Sequence, residues 1–498
     1  MKKVTIICGG SAGLGPNFVS DIIAQALVSE GFFVFNSREY ESRIRGGHNF
    51  NIITFSNESL ASNSIGCDLL IALDDESQTV HKPDLNKGAI TIFSHQNALA
   101  IGQAFKILGL KFNLLENIFK KHNNYETNIK EARQGYTAES RLLSVPKPSR
   151  KLKSVRLTNG SEAVANSSVQ SGLDFYYAYP MTPATGVLFE LASKERKNTY
   201  VTVEMESELS VVNAALGSAM TGARVMIGTS GGGFDLMCEA LTMSAIASIP
   251  IVFYLCQRPG PATGLPTYTA QGDLNIARHS GHGEFPRIVA APGDPLEAEQ
   301  LTSDLFYLST KYNVPAIILS DKHLADSFYT ITGKPLIRKA IKGVWPKRFT
   351  SYESDENQIA DSSSKQVNAN VSARFEIAKK IAKEVDSLKP YGIYGKKKSK
   401  NLIIGWGSTQ GAICDAIKGL DCTFIKIRYL EPIGSTLKKR LQSAKRIIIV
   451  ENNATAQLAS LLAEKTGLQI LDKYKILRYD GRPFLVESLA KEIKRRLA

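Results

Sequence analysis

The apolar positions of this chain change period many times, and the changes divide it into segments. A short apolar run at residues 4–8 ends in glycines, and beyond it Phe18, Ile22, Ile23, Ala26 and Leu27 recur on one helical face. Further apolar runs at 32–35, 50–55 and 69–73 read as strands. This alternation predicts an α/β domain over residues 1–120, with a parallel sheet covered by helices. Residues 121–155 are polar and basic, carry Pro146 and Pro148, and read as a linker. A second α/β domain is predicted over 156–335, with strands at 175–178, 225–228, 249–256 and 316–320. Residues 336–370 read as a second linker, since from 346 onward Ser, Asp, Asn and Gln dominate without an apolar period. A smaller α/β domain is predicted over 371–498, with strands at 402–405, 423–427 and 447–450. No repeat of solenoid type is visible.

Composition agrees with that division. The 498 residues, 43% apolar and 22% charged, suit a soluble globular protein of about three cores. The basic, apolar N-terminus reads as a first strand and its turn rather than a signal peptide, because glycines interrupt the run. No stretch approaches the roughly 20 apolar residues that cross a bilayer, and a cytoplasmic protein is expected. Cys8, Cys67, Cys238, Cys256, Cys414 and Cys422 are scattered without a CxxC pair, so neither a disulfide framework nor an iron–sulfur cluster is expected in this chain. The net charge of +14 is spread along the chain, apart from clusters at 396–400 and 491–496 that no aromatics interleave. Nucleic acid is therefore not expected as a partner; a solvated basic surface able to steer an acidic protein is.

Several turns carry residue types with chemical uses. Cys8-Gly9-Gly10-Ser11-Ala12-Gly13 nearly fits the dinucleotide fingerprint, but cysteine replaces its first glycine, and Asn36-Ser37 stands where an acidic residue would bind a ribose. A tight turn without nicotinamide is favoured, and a nucleotide-binding regulatory protein is the competing class. Arg43 and Arg45, followed by Gly46-Gly47-His48-Asn49, make a loop of fixed positive charge that suits an anion or merely solvent. In Tyr179-Pro180-Met181-Thr182-Pro183 two prolines fix φ on either side of Thr182, which projects its hydroxyl from a strand end or simply closes a loop. Glu204, Glu206 and Glu208 enter the first turn of a helix, where the dipole alone favours carboxylates. The glycines of Gly228-Thr229-Ser230-Gly231-Gly232-Gly233-Phe234 let backbone approach a planar ring, or serve a tight turn. Arg258, just past a predicted buried strand, can grip a carboxylate bidentately or cap the strand. His282 reads as a structural turn residue, with a proton donor as the alternative.

In this order the motifs resemble the 2-oxoacid:ferredoxin oxidoreductase family, in the form of an α subunit with a γ domain fused ahead of it. The loop holding Arg43 and Arg45 is similar to the RGG stretch of the γ domain. Residues 179–183 resemble YPITP, with Met181 for isoleucine, and 229–234 resemble TSGPGF, with Gly232 for proline. Residues 257–267, followed by Gln271-Gly272-Asp273, resemble QRxGPSTGLPT…QGD, with Ala262 for serine. Gly405-Trp406-Gly407-Ser408, Val450-Glu451-Asn452-Asn453 and Tyr479-Asp480-Gly481-Arg482-Pro483-Phe484 are similar to WGS, VEQN and YDGRPF.

The resemblance implies three α/β domains: a γ-type domain, a thiamine diphosphate pyrimidine-binding domain and a transketolase C-terminal-like domain. It implies that Tyr179, Pro180, Met181, Thr182, Pro183, Glu208, Ser230 and Gly231 line the cofactor. Glu208, with Glu206 as the alternative, would protonate N1′ of the aminopyrimidine. Thr182, Arg258 and Arg45 would contact the 2-oxoacid. The GDG…N segment that holds Mg²⁺ and diphosphate has no match here, since GDP at 293 and GDL at 272 lack the asparagine. No metal site is expected in this chain, and Mg²⁺ and the iron–sulfur cluster fall to a β subunit. The implied reaction is oxidative decarboxylation of a 2-oxoacid to acyl-CoA and CO₂, with electrons passed to ferredoxin and no activity without the β subunit. 2-Oxoglutarate is the implied substrate, with pyruvate or another 2-oxoacid as alternatives.

Overall fold

The computed structural model describes residues 3–41, 46–148, 155–195, 199–342 and 350–497. Two compact units form: Met1–Asn159 with Asp326–Gly333 and Leu485–Ala490, and Gly160–Ala325 with Lys334–Phe484 and Lys491–Ala498. No described helix is long and apolar enough to cross a membrane.

The first unit is built on a seven-stranded sheet in the order Leu85–Phe93, Cys67–Ala72, Lys3–Ser11, His48–Ser56, Phe33–Glu39, Phe328–Thr332, Val155–Thr158. The expected strands are present, but the sheet is mixed rather than parallel. Lys3–Ser11 runs parallel to Cys67–Ala72 and antiparallel to His48–Ser56, which is also antiparallel to Phe33–Glu39. The cause is local. Residues 40–47 link two adjacent strands without the dozen or so residues that a parallel crossover needs. A second difference concerns the stretch read as the first linker, where Tyr125–Ala138 forms a helix against Asn97–Ile107. Two glycines bring their backbones together. A Cβ on Gly102 would sit 1.9 Å from the Ala132 carbonyl, and one on Gly135 would sit 2.2 Å from that of Leu99. The small residues allow the close approach, and Tyr125, Ile129, Ala132 and Tyr136 pack one face of the helix onto the core of this unit. Within the stretch read as the second linker, Ser364–Ser387 begins a helix capped by Ser363, which accepts from Gln366 N.

The second unit holds two sheets. The larger runs Tyr429–Glu431, Ile288–Ala290, Ala316–Asp321, Val252–Gln257, Val225–Thr229, Phe175–Ala178, Val201–Glu204. All its ladders are parallel except that to Tyr429–Glu431. Val252–Gln257 and Ala316–Asp321 are buried along their whole length, as strands covered on both faces must be. Alternate residues feed two cores. Phe253, Leu255, Ile317 and Leu319 enter one, and Val252, Tyr254, Cys256, Ala316 and Ile318 the other. The first of these cores also contains Ile404, Trp406 and Ile425 of the five-stranded sheet, so the two sheets share one apolar interior. A buried ionic cluster adds to the join. Lys426 Nζ donates to Glu297 and Arg428 Nε to Glu297 Oε1 at 2.7 Å, and against the cost of burial these cations hold the Glu297 carboxyl down at about 2.

Candidate functional site

Four strands of the larger sheet in the second unit deliver their carboxyl ends to one place, the edge where open parallel sheets offer ligand sites. Phe175–Ala178 runs into the turn 179–183, Val201–Glu204 into the helix Glu208–Met220, Val225–Thr229 into the glycine turn, and Val252–Gln257 into Arg258. Tyr179 and Pro180 are exposed at this rim, Met181 and Thr182 half-buried, and Pro183 buried. Arg258 is half-buried, and its Nη1 donates to the Thr182 carbonyl oxygen at 2.6 Å. Burial disfavours the charge on Arg258, while the carboxylates of Asp273 and Glu208 favour it. Thr182, Arg258 and Glu208 are thus brought together.

The two candidate glutamates separate cleanly. Glu208 is the first residue of its helix and only 6% exposed. Ser207 caps that helix by accepting from Ser210 N at 3.3 Å, which leaves the Glu208 side chain free to turn inward. Glu206 is exposed, and its carboxylate accepts from Ser210 Oγ. Only Glu208 faces the site.

The glycine turn is shaped by what surrounds it. A Cβ on Gly233 would meet Thr229 Oγ1 at 2.3 Å and Glu208 Cγ and Oε1 at 2.8 Å. A Cβ on Gly231 would meet Asp273 Oδ2 at 2.7 Å. Gly232, by contrast, has nothing nearer than the Ala262 carbonyl at 4.0 Å, so the position that differs from the family motif is the roomy one. Ser230 Oγ and Asp273 Oδ2 are buried without a hydrogen-bond partner. A buried carboxylate, two orphaned polar atoms and a bare backbone fit a polar aromatic ring such as an aminopyrimidine. Among the described residues, no group of three or more His, Cys, Asp or Glu is placed to hold a metal ion.

Asp273 escaped the reading of the sequence as a site residue, although it lies in the QGD motif. The structure also gives the C-terminal motifs a task. Gln271 Nε2 donates to the Trp406 carbonyl at 2.8 Å, Gln271 N to that of Asn452 at 2.7 Å, and Asn453 Nδ2 to that of Gln271 at 3.0 Å. Gln457 Nε2 donates to the Gly272 carbonyl at 2.7 Å, and Thr269 N to that of Gly481 at 3.1 Å. These residues clamp the segment 269–273 that ends at the site. His282 is exposed on its turn. Arg43 and Arg45 lie outside the described residues.

The glycine turn of the first unit is built differently. Asp74 accepts from Ser11 N at 2.7 Å and Ser11 Oγ at 2.6 Å, and caps the helix Asp75–His81 through Ser77 N at 2.9 Å. The helix Pro16–Ser29 follows a left-handed Gly15 and opens on a proline, which has no N–H to offer.

The profile of the family described as pyruvate flavodoxin/ferredoxin oxidoreductase, thiamine diphosphate-binding, matches residues 166–389, and that of pyruvate ferredoxin/flavodoxin oxidoreductase matches 5–99. The chain is similar to a 2-oxoacid:ferredoxin oxidoreductase subunit alpha of a Sulfolobus species, 29% identical over 98% of this chain and 96% of that one. It is 35% identical to 2-oxoglutarate synthase subunit KorA of Archaeoglobus fulgidus, over 35% of this chain and 51% of that one. Its fold matches the structure of 2-oxoglutarate:ferredoxin oxidoreductase from Magnetococcus marinus with a TM-score of 0.88, at 24% identity, over 100% of both chains. Both family profiles fall in motif order, and along nearly its whole length this chain is similar to 2-oxoacid:ferredoxin oxidoreductase alpha subunits.

Proposed function

We propose that this chain supplies the pyrimidine-binding and substrate-binding half of the active site in an enzyme that oxidatively decarboxylates 2-oxoglutarate to its acyl-CoA. The observation that carries this reading is the convergence of Arg258, the Thr182 carbonyl and buried Glu208 around the Gly231–Leu236 turn and helix. Thiamine diphosphate, when bound, supplies a carbon nucleophile and an electron sink for the bond that breaks as CO₂ leaves. Glu208 holds a proton at N1′ of the aminopyrimidine. Arg258 presents fixed donors to the carboxylate of the 2-oxoacid, and its bond to the Thr182 carbonyl keeps the guanidinium oriented before substrate arrives. The Thr182 side chain faces the same substrate, and Arg45 of the γ-type domain serves as a further anion contact.

The remaining parts are assigned to a β subunit: Mg²⁺, the diphosphate grip and the iron–sulfur cluster. The scattered cysteines, none in a CxxC pair, support that division. Coenzyme A and ferredoxin complete the reaction, which we place in the cytoplasm. 2-Oxoglutarate is preferred over pyruvate because the proteins named KorA and the matching fold are associated with that acid.

The test is co-expression with the partner chain. The purified complex should carry thiamine diphosphate and reduce a viologen dye with 2-oxoglutarate and coenzyme A, more slowly with pyruvate. Faster turnover of pyruvate would change the substrate alone. A complex that binds no thiamine would remove the whole reading.

A further inference from the structure

Asp273 has no role in the chemistry described so far. It directly precedes the helix Leu274–His279, where an aspartate ordinarily turns back onto the first amides, yet its side chain makes no such bond. Its backbone N–H donates to Gln257 Oε1 at 3.0 Å, and Gln257 Nε2 is tied to the Ser320 carbonyl at 2.9 Å. Asp273 is therefore fixed beside the residue that precedes Arg258. On the other side, the clamp of Trp406, Asn452, Asn453 and Gln457 holds the two residues before it.

Between these anchors the carboxylate is turned against Gly231, and its Oδ2 is buried without a donor. Two charged groups bear on it: Asp235 on the helix Gly231–Leu236 repels it and Arg258 attracts it, while Glu208 acts on the same guanidinium. One cation thus serves two carboxylates before any substrate is present. A third carboxylate entering at Arg258 would meet a site with too much negative charge, unless one of the resident groups were neutralised.

We propose that Asp273 is a positioning residue that releases Arg258 to the substrate: as the 2-oxoacid carboxylate binds, Asp273 takes up one proton from solvent on Oδ2 and remains as a neutral donor beside it. This rests on the reading of Arg258 as the substrate-carboxylate site. No covalent bond other than the O–H is made, and the only species exchanged is the proton. Asp273 is suited to the change, because burial and Asp235 push its carboxyl up to about 6 against the pull of Arg258. At neutral pH it rests mostly ionised, and an added negative charge suffices to protonate it.

The experiment is calorimetric titration of the thiamine-loaded two-chain complex with N-oxalylglycine and with oxamate, two unreactive analogues of 2-oxoacids. Affinity in the unaltered protein should weaken roughly ten-fold as the pH rises from about 6 to about 8. Titrations in phosphate and in Tris, whose ionisation heats differ, should reveal net uptake of about half a proton per site near neutral pH, as a ten-fold change over two pH units requires. Asp273→Asn, which mimics the neutral form, should bind roughly ten-fold more tightly at about pH 8, with no pH trend and no proton uptake. Asp235→Asn, an exposed change, should move the midpoint of the affinity loss to lower pH. Proton uptake that persists in Asp273→Asn, or weaker binding by that variant at every pH, would overturn the proposal while leaving Arg258 in place. If neither analogue bound the unaltered complex, the Arg258 site itself would fall, and the proposal with it.

Discussion

Two glycine-rich turns, at residues 8–13 in the first unit and 230–233 in the second, lead from a buried strand into a helix, and of these two only the second keeps its polar groups available. In the first unit the turn at residues 8–13 is closed by the protein's own anion. Asp74 takes the Ser11 amide and hydroxyl that a phosphate would otherwise use, and the helix beyond begins at Pro16. In the second unit the turn at 230–233 leaves Ser230 Oγ unpartnered and passes close to the Glu208 carboxylate. A glycine-rich turn is thus no site by itself. What decides is whether neighbouring side chains consume its donors.

The largest test of this contrast is Glu208→Gln. Removal of the proton held at the pyrimidine should lower 2-oxoacid turnover by about 10²–10⁴-fold, and exchange of the thiamine C2 proton should stop. Unchanged exchange would return the role to Glu206. Next comes Arg258→Ala, which removes a charged donor set and the bond to Thr182. It should cost about 1.5–3 kcal/mol, or roughly 10- to 150-fold in kcat/KM, expressed mainly as a higher KM for the 2-oxoacid. Gly233→Ala drives a methyl into Thr229 and Glu208 and should cost about 1–3 kcal/mol of stability, with turnover lost in step. Gly232→Ala, in open space, is the control that should keep both.

The smallest effect belongs to the first unit. Asp74→Asn weakens a cap and the contact with Ser11, and should lower stability by about 0.5–2 kcal/mol in a denaturant melt at neutral pH, with turnover retained. Burial opposes the charge on Asp74, but hydrogen bonds from Ser11 and Ser77 outweigh it and hold the carboxyl below the usual range. Its contribution is therefore complete above the ordinary carboxylate pKa of about 4 and is lost as the pH falls below that, so the variant and the unaltered protein should converge in acid. Loss of turnover in Asp74→Asn would show that the first turn serves the reaction after all.

The strand positions were legible in the sequence. The runs at 175–178, 225–228 and 249–256 announce themselves through apolar content that depends on nothing distant, and strands form at Phe175–Ala178, Val225–Thr229 and Val252–Gln257. The motif turns were equally plain, and Thr182, Glu208 and Arg258, taken from them, meet in the fold. Other features had no local signal. The antiparallel reversal in the first sheet, and its completion by Phe328–Thr332, depend on pairings that no periodicity records. The helix Tyr125–Ala138 lies in a stretch whose polar and basic content masks the face of Tyr125, Ile129, Ala132 and Tyr136 that packs on the core, and its close backbone contact at Gly102 and Gly135 has no local signal.

The site divides in the same way. Sequence by itself determined which residue types stand at the sheet's carboxyl edge, because each motif is a short run with its own backbone preference. Only tertiary structure decided that Glu208 is buried and Glu206 is not, that Asp74 closes one glycine turn, and that Asp273 shares Arg258 with Glu208. The physical reason is that burial and electrostatic partnership are set by groups far away in sequence, and a side chain carries no mark of the neighbours that folding will give it.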